Sequence, residues 1–308
     1  MRHGQSDFWP MLAIMVGSGM WGVIWYPLRM LAALGVSGTL AGGLTGLAAC
    51  LFMSLLAGRR LLRIPRHGMV LALALAAGLT NVGFTWGVIH GEVMRVLLLF
   101  YLSPAWTALF AHFMLRERLT RTGSGLIVLS LCGAGLMLWS PTSGLPFPEN
   151  SAEWAGLVAG MGFAMNNVLT LRISRRLPTV TPQIRTFLVF FGSAAFGISV
   201  SCFDHAVSVP QAPHLGLAAA LVVAMGISLA LNNLLVQHGL ARVAANRASL
   251  VMLFEIVVTA VSAWLLAGEV PGPREAMGGA CIVLSAVLAS CLHREIPPER
   301  PTAKQAMV

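Results

Sequence analysis

Apolar residues in this chain gather into long runs, with neither the strict alternation of half-buried strands nor a heptad seam. A helix needs about 20 predominantly apolar residues to cross the hydrocarbon core of a bilayer. Ten runs reach about that length: 9–33, 37–57, 68–90, 93–115, 122–140, 153–172, 182–203, 214–237, 244–267 and 275–292. The joints between the third and fourth runs and between the eighth and ninth are very short. The pattern predicts an all-α membrane protein of ten transmembrane helices.

Composition rules out the soluble alternative. Only 10% of residues are charged and 57% are hydrophobic, with a mean hydropathy of +0.79. Soluble domains carry about 25% charged residues. The first run contains Pro27 and Arg29 and lacks a small-residue cleavage motif, so it reads as a membrane helix and not as a signal peptide. The five cysteines have no CxxC spacing and lie in or at the ends of apolar runs, as small hydrophobes do.

The net charge of +9 suggests nucleic acid only until the positions are read. With a cytoplasmic N-terminus, 17 of the 20 Lys and Arg fall in cytoplasmic segments, and Arg29, Arg95 and Arg274 are the exceptions. Positive residues are retained in the cytoplasm during insertion. The bias therefore supports ten spans in a bacterial inner membrane with both termini cytoplasmic. The expected partners are the lipid bilayer and a small-molecule substrate, with no nucleic acid. The oligomeric state is open, and a monomer is plausible.

The halves resemble one another. Ile127-Val128-Leu129-Ser130 matches Ile282-Val283-Leu284-Ser285. Arg95 pairs with Arg247 and Glu117 with Glu269. Gly17-Ser18-Gly19 aligns with Gly160-Met161-Gly162, which also pairs Arg29 with Arg172. Matches in the same order suggest a five-plus-five duplication. Five is odd, so the second copy is inverted, a plan common in secondary transporters with a central solute site. The expected division is a first repeat at 1–140, an external linker at 141–152, a second repeat at 153–293 and a cytoplasmic tail at 294–308.

Several residues could carry chemistry at depth. Glu255 lies midway along the ninth run, where an unpaired carboxylate is costly. It reads either as a solute-amine contact or coupling group, or as a hydrogen bond between helices. Trp21, Trp25, Trp106 and Tyr101 are deep aromatics able to stack on a flat solute or hold a cation, and Trp86 is less deep. Trp9, Trp139, Trp154 and Trp264 sit at helix ends as interfacial anchors. Asn81 and Thr85, Asn166 and Asn167, Asn232 with Asn233, and Gln237 supply amides and a hydroxyl, either for a solute or for interhelical bonds. Pro27 and Pro104 interrupt the first and fourth helices and free a carbonyl. Gly38, Gly42 and Gly46 make a close-packing face. Arg29 and Arg95 either attract a carboxylate or snorkel to lipid headgroups, and snorkelling is the simpler reading.

The motif order resembles the drug/metabolite transporter superfamily with two EamA domains. Leu102-Ser103-Pro104 and Glu117-Arg118-Leu119-Thr120 carry the resemblance in the first half. Phe254-Glu255-Ile256 and Gly268-Glu269-Val270-Pro271 carry it in the second, where the family often has a Leu-Glu-Pro-like triplet and this chain lacks the proline. The resemblance implies an exporter with a central cavity lined by helices one, three, four, six, eight and nine, to which Ser103 also belongs. The deep aromatics make it similar to the broad-specificity and aromatic amino acid exporters. Exporters of cationic drugs or other metabolites share the fold, which does not choose among them. The absence of GxxxxGK[ST], HExxH and GxSxG argues against ATP hydrolysis and against an enzyme, and no cofactor or metal is expected.

Overall fold

A computed structural model of the chain describes residues 8–36, 38–115, 121–139, 148–203, 212–240, 251, 254–270 and 272–292, all helical or connecting, with no strand among them. The helices are α1 (Phe8–Val23), α2 (Trp25–Ala33), α3 (Gly38–Ala57), α4 (Gly68–His90), α5 (Val93–Phe100) and α6 (Ser103–Leu115). They continue with α7 (Arg121–Leu138), α8 (Ser151–Arg176), α9 (Pro182–Phe203), α10 (Ala212–Leu240), α11 (Phe254–Ser262) and α12 (Pro273–Leu292). Seven helical segments are long and apolar enough to cross a membrane, and three shorter apolar helices fall at Ser124–Leu136, Val257–Ala267 and Ala276–Ser285.

Two of the crossing segments are broken where proline requires it. Pro27 offers no N–H to the Val23 carbonyl, and the helix breaks at Ile24 between α1 and α2. Pro104 offers none to the Phe100 carbonyl, and a turn at Tyr101-Leu102 separates α5 from α6. The freed Phe100 carbonyl is covered by α8: a Cβ added at Gly160 would lie 2.7 Å from it.

Packing runs through small residues. α4 lies along α8 and α9, α3 along α9 and α10, α1 along α10 and α11, α5 and α6 along α8, and α7 along α12. At the α3–α9 crossing a Cβ on Gly43 would fall 2.7 Å from the Ile198 amide nitrogen, so only glycine permits that approach. Gly38, Gly42 and Gly46 pack as their spacing predicts, against Ile89, Asn81 with Thr85, and Ser193 with Ala194. Leu51, Leu55, Leu71, Val128, Leu217 and Val257 are each more than half exposed. Water would penalise so much bare aliphatic surface, whereas lipid tails solvate it.

Candidate functional site

The turn at Tyr101-Leu102 sets the centre of the site. It projects Tyr101 from α5–α6 toward α11, where Glu255 and Thr259 lie one helical turn apart on the same face. The Tyr101 hydroxyl faces the Glu255 carboxyl and the Thr259 hydroxyl. Both hydroxyl oxygens are buried, and neither completes a hydrogen bond of regular geometry. α1 closes the other side. Its Gly22 approaches so nearly that an added Cβ would stand 2.8 Å from the Glu255 carbonyl oxygen.

One turn further along α11, the Trp25 indole N–H donates to Ser262 Oγ at 3.0 Å. The Ser262 hydroxyl is in turn 3.0 Å from both the Gly22 and Thr259 carbonyls. Trp25, 1% exposed, therefore ties the proline-broken first segment to α11.

The other candidates from the sequence fall in separate groups. Trp106 stacks on Phe110 with its indole N–H unpartnered, and shares with Tyr101 a cluster of Leu98, Leu99, Leu102, Ala134 and Ile282. Ser103 is buried at the start of α6. Trp21 packs against Met53, Phe190 and Leu229. Thr85 is buried, Asn81 Oδ1 is unpartnered, and both flank Gly42.

Asn232 is buried and donates to the Gly17 carbonyl at 3.1 Å, while Asn233 accepts from Thr186 at 3.0 Å. Asn166 is half-buried with its Oδ1 unpartnered, and Asn167 is exposed, as adjacent helical positions about 100° apart allow. The side chains of Gln237 and Pro104 lie outside the described residues, as do Glu117 and Arg247. Thr259 and Ser262 were missed from sequence because a hydroxyl in an apolar helix carries no local signal.

The helix ends differ from expectation more sharply. Arg29 and Arg95, expected to snorkel, each meet a carboxylate of the protein instead. Arg29 donates to the Val88 and Gly91 carbonyls at 2.9 and 2.8 Å, and pairs with Glu269 at 3.1 Å. Its guanidinium also lies over the Trp25 ring, 5.2 Å from the centroid. Arg95 pairs with Glu153 at 3.2 Å. A guanidinium fork can serve several acceptors at once, as Arg29 does here with two carbonyls and a carboxylate.

Glu269 and Glu153 are placed by their helix ends. The segment Ala263–Ala267 widens into a π turn after α11, and Gly268 takes a left-handed conformation at φ +68°. The Gly268 and Glu269 amides then close onto the Trp264 and Ala263 carbonyls. This reversal brings the Glu269 carboxylate to Arg29 and to the Met94 amide at 3.2 Å, near the positive end of α5. Glu153, 2% exposed, accepts from the Glu149 amide and the Asn150 side chain, while Asn150 caps α8 by accepting from the Glu153 amide.

The model of the EamA-like transporter family matches residues 150–291, which include Glu153, Glu255 and Glu269. The second half of the chain is thus similar to that family. EamA-family members are membrane transporters, not enzymes. No curated protein matches the chain. A solved chain described only as "Crystal structure of protein" is similar in fold at 19% identity. Its TM-score is 0.56, and the match covers 91% of this chain and 97% of that one. Within the matched segment, the Gly268-Glu269 pair serves two linked purposes: the glycine turns the chain, and the glutamate meets Arg29.

Proposed function

We propose that this transporter exports neutral and aromatic amino acids across a bacterial inner membrane by alternating access between two inverted halves. The carrying observation is the Tyr101–Glu255–Thr259 group. A carboxyl and two hydroxyls meet inside the bundle, the hydroxyls without a hydrogen bond of regular geometry, and Glu255 has no cationic partner among the described residues. Buried polar groups are normally satisfied, and an ammonium group is the complement this cluster lacks. Trp106, stacked beside it with a free N–H, offers a face and a donor to an aromatic solute.

The inverted repeat is supported by the packing. Let spans one to ten be α1–α2, α3, α4, α5–α6, α7, α8, α9, α10, α11 and α12. The contact of three with six then has its counterpart in eight with one, three with seven in eight with two, and four with six in nine with one. Two with seven and five with ten are their own counterparts. Ser130 and Ser285, matched in the sequence repeat, hydrogen-bond to each other, as residues on a two-fold axis do. On this reading the halves are 1–140 and 153–293, and the end bearing Arg29, Arg95 and Glu269 faces outward.

The same anionic group would accept a flat lipophilic cation, so export of cationic drugs is the second reading. Uptake of labelled amino acids into proteoliposomes, with lipophilic cations as competitors, separates the two. Glu255→Gln is expected to reduce flux of any amine-bearing solute by about 10–100-fold, the worth of a charge-assisted bond. Undiminished flux in that variant would remove Glu255 from the site.

A further inference from the structure

One end of the bundle carries a cleft of about 390 Å³ lined by Arg29, His90, Glu92, Arg95, Glu153 and Glu269, among others. Both ion pairs cross it. Arg29–Glu269 joins α2 to the turn after α11, and Glu269 also holds the α5 backbone through Met94. Arg95–Glu153 joins α5 to α8. The two bridges therefore connect four separate segments at the same end, directly over the packed cluster of Trp25, Leu28, Val88, Val93, Val96 and Ala263.

We propose that these two ion pairs are an electrostatic latch that closes this end, and that both must part for a solute to pass. The inference rests on the alternating-access reading but goes beyond it by assigning the closing contacts. Three features suit a latch better than a static brace. The Arg29–Glu269 pair is partly accessible, with side-chain exposures of 30% and 17%, and in the second pair Arg95 is 21% exposed while Glu153 is buried, so water can take over both members of the first pair and the arginine of the second on opening. Glu269 sits on a loop hinge made by the π turn and Gly268, not inside a helix. Arg29 and Arg95 stand on the two segments that proline breaks, at Ile24 and at Tyr101-Leu102, so each outer half can swing while its inner half stays packed.

The test reads opening without needing a solute. Ala263 is fully buried beneath the latch. Ala263→Cys is introduced in a chain with its five native cysteines replaced, and labelling by a membrane-impermeant maleimide is timed in sealed vesicles from each face. Slow labelling is expected in this background. Glu269→Gln and Arg95→Gln are each expected to accelerate it at least about fivefold, the low end of site-to-site coupling. Glu92→Gln, in the same cleft, is the control and is expected to leave the rate unchanged.

Unchanged rates in both latch variants overturn the proposal, and so does equal acceleration by Glu92→Gln, which would signal a bulk charge effect. Should Glu269→Gln not fold, Glu269→Asp keeps the charge one methylene short, and it too must accelerate labelling or the latch fails. Accelerated labelling in protein that moves no solute would sink the transport reading while leaving the latch in place.

Discussion

The two ends of the bundle set arginine in different surroundings. At one, Arg29 and Arg95 are each met by a carboxylate within 3.2 Å. At the other, Arg172, Arg175 and Arg176 of α8 line a cleft of about 580 Å³ with Phe113, Met114 and Leu115 of α6, and no acidic side chain lines it among the described residues. The Nε of Arg172 is buried and unpartnered. The first end carries two charge pairs; the described lining of the second is basic and apolar. α8 spans both, with Glu153 in its first turn and Arg175 and Arg176 in its last, which suits the helix dipole at each terminus. On the proposed orientation the charge rule for insertion accounts for the basic lining of the second end but not for Arg29 and Arg95 at the first, and residues that break such a rule invite a search for partners.

Removing a single charge should separate the ends most clearly. Glu153→Ala removes the carboxylate that pairs with Arg95 and deletes acceptors for Glu149 and Asn150. Loss of one member of a buried pair costs about 3–5 kcal/mol, so a fall in Tm of many degrees in detergent is expected. Arg172→Gln at the opposite end removes no bridge seen among the described residues and is expected to shift stability by under about 0.5 kcal/mol. Equal losses from the two changes would erase the contrast.

A smaller effect comes from the hinge. Gly268→Val forces a β-branched residue to φ +68°, at a cost of about 1–2 kcal/mol. It should also draw Glu269 away from Arg29. The expectation is a modest Tm loss with faster labelling of Ala263→Cys, whereas a Tm loss with unchanged labelling would mean that Glu269 reaches Arg29 without the turn.

The helical fold was legible because lipid solvation writes itself into composition and run length, one residue at a time. Pro27 and Pro104 were readable as interruptions for an equally local reason, the missing N–H. Arg29 and Arg95 were visible as departures from the charge rule, but their partners were not. Glu269 lies 240 residues from Arg29 in sequence, and nothing local at either position names the other. Glu153 was concealed because a Glu three residues after Asn150 already reads as an ordinary helix start. Thr259 and Ser262 were hidden too, since Ser and Thr can bond the carbonyl one turn back and so go unnoticed in any apolar helix. What the pattern conveys is which residues are costly; which contacts offset that cost is decided by packing.

The smallest test probes the axis between the ends. Ser130 and Ser285 are midway along α7 and α12, both buried, and hydrogen-bonded to each other. Ser285 has a second outlet, the Ile282 carbonyl at 2.8 Å. Ser130→Ala alone should thus cost only about 0.5–1 kcal/mol, with Ser285 turning to that carbonyl. Ser285→Ala strands the other hydroxyl and should cost slightly more. In the double variant both polar groups go together, and the losses should be less than additive. A double-mutant cycle by thermal unfolding measures the difference directly. Additive losses would mean that the two serines act independently, and the packing symmetry through α7 and α12 would lose its one polar contact between repeat-matched residues.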